Sequence, residues 1–291
     1  MNMEIVNSPS PLRVMWREIY SDKLALISLI FFVTVVIVVF TWSFLIDTTA
    51  LLRQNLLNTN QPPSSEHWLG TDTAGRDVFR LLIVGARNSF IIAFIVALSS
   101  SLVGIIMGLI AGYYGGRVDN VIMRLIDFFT MVPGLMLTIT LISILPSTVF
   151  NFGLILTIFA WLGMARQIRM VTLRQGALDY VKASKTLGTH NIVIIIREVM
   201  PNILSFMVVS LTLSIAGTMG IETGLTFLGY GFPPDTPSLG TLIATAANPL
   251  TMQLRPWLWL PAALFVLVMM LCINYVGQAL NRAADARRRR V

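Results

Sequence analysis

The sequence predicts an all-α, polytopic membrane protein with six transmembrane helices. Hydrophobic residues make up 55% of the 291 residues, charged residues make up only 12%, and the mean hydropathy is +0.76. A soluble domain carries about 25% charged residues, so this composition excludes an ordinary soluble fold. Long windows without any Asp, Glu, Lys or Arg cover residues 24–46, 88–116, 128–165, 199–221 and 256–281.

The number of helices follows from the length of these windows. A membrane-spanning helix needs about 20 apolar residues, so four of the windows hold one helix each. The window 128–165 is longer, is broken by Leu145-Pro146-Ser147 and extends back through residues 121–125, so it holds two helices. The predicted helices cover residues 24–46, 89–112, 120–144, 149–165, 203–222 and 257–279.

The basic residues predict that both termini are cytoplasmic. An even number of spans puts the two ends on one side, and 16 of the 21 Lys and Arg residues fall there, against 5 on the other side. Cytoplasmic loops carry such an excess. The four arginines at 287–290 are predicted to face anionic lipid rather than nucleic acid. The predicted segments are a cytoplasmic segment 1–23, a first transmembrane helix 24–46, an extracytoplasmic loop 47–87, a core 88–280 and a basic cytoplasmic tail 281–291.

A charged island at residues 166–202 lies between two apolar windows of the core. It also has apolar positions of its own, such as Val181, Leu187 and Ile192. We interpret the island as short helices that lie under the membrane and are offered to a cytosolic partner, and a solvated loop with scattered charges is the alternative. Its cations are Arg166, Arg169, Arg174, Lys182, Lys185 and Arg197.

The sequence predicts no catalytic site and no metal site. It contains no phosphate-binding G-x-x-x-x-G-K-[ST] loop, no H-E-x-x-H and no G-x-S-x-G. Its one cysteine, Cys272, cannot form an internal disulfide, and His67 and His190 stand alone without metal-ligand spacing. If the protein moves a solute uphill, the energy source is therefore expected on another chain.

The few acidic groups of the spans lie near the ends of the predicted helices. Asp127 is spaced to pair with Arg124 on one helix face, and Glu222 ends the fifth helix. A proton-driven carrier places carboxylates at mid-membrane, because a charge there is costly and persists only for a function. This placement argues against a proton relay and against an ion channel lined by charged rings.

Small residues indicate where helices approach one another. Gly104, Gly108 and Gly112 recur every fourth residue and form a ridge suited to close helix packing. The pair Pro133-Gly134 interrupts the third predicted helix. Such a break is compatible with a translocation path between helices and equally with an ordinary kink.

Four segments resemble motifs of one transporter family. Residues 67–77 are similar to the G-T-D-x-x-G-R-D segment of dipeptide and oligopeptide permeases, and residues 112–133 to the junction of their second and third helices. Residues 179–188 with Met200-Pro201 resemble the E-A-A-x-x-x-G…L-P loop of binding-protein-dependent ABC importer permeases, and residues 227–240 their F-L-G-x-G-x-x-P-P…P-S-x-G loop. Together the segments resemble the C-type subunit of the peptide/nickel permease group.

The resemblance implies a type I ABC importer permease fold with cytoplasmic coupling helices, and an ABC transmembrane type-1 core over residues 88–280. It implies a role for three groups of residues. The residues that couple the chain to an ATPase would be Asp179, Lys182, Ala183, Ser184, Leu187, Gly188 and Pro201. The extracytoplasmic motif would comprise Gly70, Thr71, Asp72, Gly75, Arg76 and Asp77. The outer loop motif would comprise Phe227, Leu228, Gly229, Gly231, Pro233, Pro234, Pro237, Ser238 and Gly240.

The chain departs from the family pattern in the coupling loop. The glutamate of the E-A-A motif is Lys182 here, its second alanine is Ser184, and the leucine before the proline is Met200. Pro201 is expected to separate the loop from the fifth helix, because the residue before a proline disfavours helix. The outer segment 70–77 is expected either to be a turn held by aspartate–backbone bonds or to contact solute directly.

By the same resemblance, the chain is expected to act with a second, B-type permease, two ABC ATPase subunits and an extracytoplasmic solute-binding lipoprotein in a bacterial cytoplasmic membrane. ATP and Mg²⁺ would bind the ATPase subunits, and no cofactor is expected on this chain. The expected solute is an oligopeptide. Import of nickel, a metallophore or glutathione is the alternative within the family, and a non-transporting membrane scaffold for peptide sensing is the alternative outside it.

Overall fold

The computed structural model describes residues 11–146 and 148–288, and this part of the chain is almost entirely helical. Within it, the single β pairing is an isolated bridge between Thr71 and Asp77. The α-helices are α1 (Pro11–Ser21), α2 (Lys23–Leu45), α3 (Thr48–Leu51), α4 (Val78–Tyr114), α5 (Gly116–Met131), α6 (Gly134–Ile144), α7 (Val149–Gly176), α8 (Asp179–Thr186), α9 (Asn191–Ile194), α10 (Met200–Phe227), α11 (Leu239–Ala244), α12 (Pro249–Leu254) and α13 (Leu260–Arg288). The all-α class predicted from the sequence is confirmed.

Five helical segments of the described residues are long and apolar enough to cross a membrane. They are α2, α4, α7, the continuous segment Asn191–Phe227 and the part Leu260–Ala284 of α13. The pair formed by α5 and α6 passes the same test but is bent by 74°, and counting it as one broken span gives six. The predicted segment 1–23 is described from Pro11 onward, and the predicted tail 281–291 is described through Arg288.

The predicted third helix, 120–144, is two helices rather than one. α5 ends at Met131, Val132 takes an extended conformation with φ −92° and ψ 135°, and α6 begins after Pro133. The ring of a proline disfavours the helical conformation at the preceding residue, so Val132 leaves the helix and the direction of the chain changes. The uncharged window had indicated the apolar length of this region but not its bend.

Pro201 does not separate the island from the fifth helix, contrary to the prediction. The helix is continuous over Asn191–Phe227, and Pro201 lies in the first turn of α10. A π-helical turn, Ile195–Val199, precedes it, and the amide of Met200 donates to the carbonyl of Ile195, five residues back. A proline inside a helix lacks one amide and crowds the carbonyl four residues back. The π turn shifts the hydrogen-bond register at this point, and the helix therefore continues.

The glycine ridge brings α4 and α7 into close contact. A Cβ atom added at Gly104, Gly108 or Gly112 would lie 2.6 Å from the Cβ atom of Met164, Ile168 or Thr172, respectively. Real Cβ atoms do not approach so closely, so this packing requires the glycines at every fourth position of α4.

Two ion pairs join α7 to α5. Asp127 does not pair with Arg124 of its own helix, as the sequence suggested, but accepts a 2.7 Å hydrogen bond from Nη2 of Arg166. Further along α7, Arg169 forms a two-pronged ion pair with the buried carboxylate of Asp119. The i,i+3 spacing allows an ion pair between Arg124 and Asp127 within α5, but the carboxylate of Asp127 pairs with Arg166 of α7 instead.

Candidate functional site

The charged island contains a short helix, α8, that is separate in the chain from α7 before it and from the Asn191–Phe227 helix after it. Asp179 lies in its first turn, where a carboxylate complements the helix dipole. Gly188 follows its last turn with φ 81°, and the amides of Gly188 and Thr189 donate to the carbonyls of Lys185 and Ser184, each at 3.1 Å. These two bonds form a Schellman motif, which satisfies carbonyls at the helix end and needs a residue with positive φ at the position of Gly188.

One face of α8 is anchored on the membrane helices by apolar contact. Val181 is fully buried in a cluster that includes Ile168 of α7 and Ile194 of α9. On the same helix, the ammonium group of Lys185 lies 4.2 Å from the ring centre of Tyr113 in α4, within the range of a cation–π interaction. α8 therefore cannot move without acting on α4, α7 and α9.

Hydrogen bonds also tie α8 to α7, to the π turn and to α10. The hydroxyl of Ser184 donates to Oε1 of Glu198 in the π turn at 2.7 Å. The hydroxyl of Tyr180 accepts from Nε2 of Gln175 at 2.8 Å and from Nδ2 of Asn202 at 3.1 Å. Ser184 replaces an alanine of the family motif, so the bond to Glu198 is a feature that the motif alone does not predict.

The opposite face of α8 and its C-terminal turn is open to solvent. Leu187 is 85% exposed, and Ala183 and Gly188 are also exposed. Lys182, which stands where the family has glutamate, reaches Oδ1 of Asp179 at 3.2 Å, and both side chains are largely exposed. The face thus presents one large apolar side chain, small residues and a cation. We call Asp179, Lys182, Ala183, Leu187 and Gly188 the coupling face.

The outer segment 67–77 is a turn held by one buried carboxylate. Asp72 accepts hydrogen bonds from the amides of Ala74 and Arg76, both at 2.8 Å, and from Nε of Arg76 at 2.7 Å. Gly75 has φ 75°, and a Cβ atom there would collide with the backbone carbonyl of Asn55. These contacts give Asp72, Gly75 and Arg76 a role in the shape of the turn.

The remaining residues of this motif join the turn to its surroundings. Asp77 is the N-cap of α4, where it accepts from the amide of Arg80 at 2.9 Å, and its other oxygen lies 2.8 Å from Nδ1 of His67. The hydroxyl of Thr71 accepts from the amide of Gln61 at 2.8 Å, and Thr71 is fully buried. Gly70 has φ 71° and also lies beside the backbone of Gln61.

The outer loop motif closes over α4. Gly229 follows the end of α10 with φ 85°, and Ser238 begins α11 with a capping box, in which Ser238 and Thr241 each bond the other's backbone amide. Nδ2 of Asn88 in α4 donates to the carbonyl of Pro237 at 2.8 Å. Among the other motif residues, Gly231 and Gly240 are buried, Pro233 is half-buried, and Phe227, Leu228 and Pro234 are exposed.

A buried carboxylate lies beneath this loop. Glu222 of α10 is 0% exposed and accepts from the hydroxyls of Thr223 at 3.2 Å and Thr226 at 3.1 Å. The hydroxyl of Ser89 in α4 also bonds this carboxylate. The same hydroxyl accepts from the amide of Leu239 at the start of α11. Glu222, which the sequence predicts at the end of the fifth helix, lies inside α10 because that helix continues to Phe227.

The two outer motifs meet around one cavity of about 470 Å³. Asp72 and Arg76 line it from the turn, and Pro234, Pro237 and Thr241 line it from the loop. The motifs are far apart in sequence but adjacent in the fold. The coupling face belongs to a different region, which joins the opposite end of the Asn191–Phe227 helix.

Known families and relatives match almost the whole chain. Residues 104–290 match the family of binding-protein-dependent transport system inner membrane components, and residues 10–63 match the N-terminal TM domain of oligopeptide transport permease C. The chain is 43% identical to the oligopeptide transport system permease protein OppC of Lactococcus lactis subsp. lactis strain IL1403, over 97% of this chain and 96% of the relative. It belongs to this family of transport permeases.

Two further comparisons bear on the permease. It is 34% identical to the dipeptide transport system permease protein DppC of Bacillus subtilis strain 168, over 94% of this chain and 85% of the relative. Its fold resembles that of a chain of the MetNI methionine ABC transporter in an inward-facing form, with a TM-score of 0.58 and 17% identity, over 71% of this chain and 97% of that chain. This likeness concerns the fold alone, and together with the family match it confirms the predicted importer permease fold. The apolar helices and the family match support a multi-pass membrane protein.

Sequence reasoning missed two carboxylates of the permease. Glu198 was not singled out, although it supports Ser184, and Glu222 was assigned to a helix end. A signal for Glu222 existed, because an acidic residue directly after an apolar window needs partners if the helix continues. No such signal existed for Glu198, since its partner is set by the folding of α8 against the π turn.

Proposed function

We propose that the permease is one of two membrane subunits of an ATP-binding-cassette importer for oligopeptides. In this proposal it forms half of the translocation path, and ATP is hydrolysed by two separate ATPase subunits, which also bind Mg²⁺. The observation that carries the proposal is α8, which exposes the coupling face and is anchored on its other face to several membrane helices. Membership in the transport permease family and the name of the OppC relative support it.

The contacts of α8 suggest how motion would reach the membrane. Leu187, with Ala183 beside it, would enter a groove of the ATPase, as an amphipathic helix enters an apolar groove. Val181 and the Ser184–Glu198 bond would then carry a displacement of α8 into α7 and the Asn191–Phe227 helix. The motion would be a rigid-body shift, because these contacts are packed on several sides.

The proposed partner in the membrane is a second, B-type permease. The bent pair α5 and α6 leaves large apolar side chains uncovered, among them Phe128, Met131 and Leu135. A path between two subunits needs walls from both, and this chain supplies one coupling face. Purified alone in lipid vesicles, the permease is expected to show neither ATP-dependent peptide accumulation nor nucleotide binding. Robust uptake without partners, or a measurable affinity for ATP, contradicts this assignment.

We further propose that both termini are cytoplasmic and that the cavity between the two outer motifs faces a solute-binding lipoprotein. The excess of basic residues on one side supports this orientation. A cysteine introduced at Ser65 is expected to react with an impermeant thiol reagent from outside intact cells, and one at Thr189 is not. The native Cys272 is buried and gives a low background. The opposite labelling pattern would reverse the assignment of sides.

The experiment that tests the function uses the complete importer in vesicles. Peptide-loaded binding protein should stimulate ATP hydrolysis and drive peptide accumulation. Binding protein loaded with nickel, a metallophore or glutathione should not, if the permease serves oligopeptides. Stimulation by one of those solutes alone would move the assignment to the corresponding importer, and no stimulation by any loaded protein would favour a membrane scaffold.

A further inference from the structure

An apolar groove of about 310 Å³ lies between α1, α2, α10 and α13. Among the described residues of its lining, Thr212 alone bears a hydroxyl, and that hydroxyl donates to the carbonyl of Val208 in its own helix at 2.9 Å. Apart from the indole of Trp16 at the end next to α1, the side chains of the groove thus offer almost no polar group to an occupant. Its lining includes Trp16, Leu29, Phe32, Ile215, Ile273 and Leu280.

The groove runs along the membrane helices below α1. It follows α13 from Leu280 to Ile273 and α10 from Val208 to Ile215. Seven residues of a helix rise about 10 Å, so the groove extends about 10 Å from α1 into apolar spans. The hydrocarbon core of a bilayer is about 30 Å thick, and the groove thus covers a large part of one leaflet.

The mouth of the groove carries positive charge. Arg13, Trp16, Arg17 and Tyr20 are spaced i, i+3, i+4 and i+7, which places them on one face of α1. Trp16 and Tyr20 are 52% and 65% exposed, with ring centroids 5.9 Å apart, and both arginines are exposed. Trp16 belongs to this face and also to the wall of the groove, so the cations adjoin its opening.

The nearby carboxylate of Asp22 does not neutralise this face. Asp22 is the N-cap of α2, where it accepts from the amides of Leu24 and Ala25, and it forms an ion pair with Arg282. Two arginines of α1 thus stand against the one carboxylate of that helix, Glu18. Tryptophan and tyrosine are enriched where membrane meets water, which is the level that this face of α1 would occupy.

We infer that the groove holds an acyl chain of an anionic phospholipid, with the lipid phosphate against Arg13 and Arg17. The walls require an occupant that is apolar along its length, and the mouth requires one that is anionic at its end. An extended peptide segment would bring backbone amides that the groove cannot satisfy, at a high cost in free energy. A lipid in the groove would contact α1, α2, α10 and α13 together. This inference does not depend on which solute the permease transports.

The first test uses native mass spectrometry of the full-length permease with its partner subunits, delipidated and then supplied with phosphatidylglycerol or with phosphatidylcholine of the same acyl chains. Phosphatidylglycerol should be retained preferentially. Replacing both cations, Arg13→Gln with Arg17→Gln, should weaken its retention about tenfold, because each basic residue near the lipid surface contributes to anionic lipid binding. Arg53→Gln is the matched control on an exposed arginine elsewhere, and it should retain the lipid.

The second test fills the groove without changing charge. Leu29→Trp adds bulk to the lining, whereas Ile30→Trp adds the same bulk to the neighbouring exposed position of α2. The groove-filling variant should lose the retained phosphatidylglycerol, and Ile30→Trp should keep it. Equal retention of the two lipids, or unchanged retention in both the arginine variant and Leu29→Trp, would overturn the inference and indicate that another segment or subunit covers the groove.

Discussion

At the Phe227 end of the Asn191–Phe227 helix, polar groups of the motifs and of the neighbouring helices bond within the chain. Asp72 bonds its own turn, and Glu222 is surrounded by the hydroxyls of Ser89, Thr223 and Thr226. At the other end, about 55 Å away by helix rise, α8 keeps only one anchored face and leaves Leu187 open to solvent. Both regions contain residues that resemble family motifs. In the first region the polar groups are bonded within the chain, whereas the coupling face is left open to solvent.

This difference separates two kinds of defect. A substitution in the outer region should lower the stability of the permease, because it removes contacts that the chain makes with itself. A substitution on the coupling face should leave the isolated fold intact and lower the coupling of ATP hydrolysis to uptake. The midpoint of thermal unfolding in detergent reports the first kind of defect, and the rates of uptake and hydrolysis in vesicles report the second.

The largest loss of stability is expected at Glu222. Glu222→Ala leaves a cavity in a fully buried site and removes the acceptor of several hydroxyls, which together cost about 3 kcal/mol of unfolding free energy. Glu222→Gln keeps the volume and an acceptor oxygen and should cost about 1 kcal/mol. A thermal midpoint of Glu222→Ala equal to that of the wild type would contradict the structural role of this carboxylate.

Gly188→Asp should abolish most uptake while lowering the thermal midpoint only slightly, and by about as much as Gly188→Asn does, because either side chain is strained at φ 81°. Among the described residues other than its two neighbours in the chain, none lies within 4 Å of a Cβ atom added there, so the new side chain would project from the coupling face toward the proposed ATPase. We expect uptake to fall at least about tenfold, equivalent to about 1.4 kcal/mol of coupling. Gly188→Asn is the matched control, because asparagine tolerates positive φ without adding charge.

The outcome of that pair separates charge from volume. Retained uptake in Gly188→Asn with loss in Gly188→Asp would assign the effect to the added charge. Loss in both variants would assign it to the closeness of the docking contact. Wild-type uptake in Gly188→Asp would remove the coupling face from the proposed mechanism.

The same comparison shows what the sequence could and could not predict. Apolar windows indicated the spans, and the spacing of Gly104, Gly108 and Gly112 indicated a packing ridge, because both depend on residues close in sequence. The turn at Gly188 was also legible, since a glycine after a short helix commonly ends it.

Other features depend on contacts that no local pattern contains. The chain bends at Pro133 but continues as a helix through Pro201, and of these two prolines only the second follows a π turn. The environment of Glu222 depends on Ser89, which is distant in sequence. Asp127 pairs with Arg166 rather than with Arg124 for the same reason, because the position of Arg166 is fixed only when α7 packs against α5.

Ser184→Ala should have an intermediate effect, since Ser184 belongs to the anchored side of α8. The hydroxyl is a bonded donor to Oε1 of Glu198, while Oε2 is buried without a hydrogen-bond partner among the described residues. Removing the hydroxyl leaves the carboxylate poorly satisfied, at a cost of about 1–2 kcal/mol. A double-mutant cycle with Glu198→Leu should recover much of this loss, because removing both partners is nearly neutral. Additive losses would mean that the two side chains do not interact.

The smallest effect on stability is expected for Lys182→Gln. The Lys182–Asp179 pair is exposed, so its loss should change the unfolding free energy by less than about 0.5 kcal/mol. If the cation faces an acidic site on the ATPase, uptake should fall about threefold at low ionic strength and approach the wild-type rate at high salt, because charges at a rim act mainly through screened long-range attraction. Arg117→Gln, at an exposed cation outside the coupling face, should show no such salt dependence. Wild-type uptake in Lys182→Gln at every salt concentration would show that Lys182, although exposed beside Ala183, does not meet the partner.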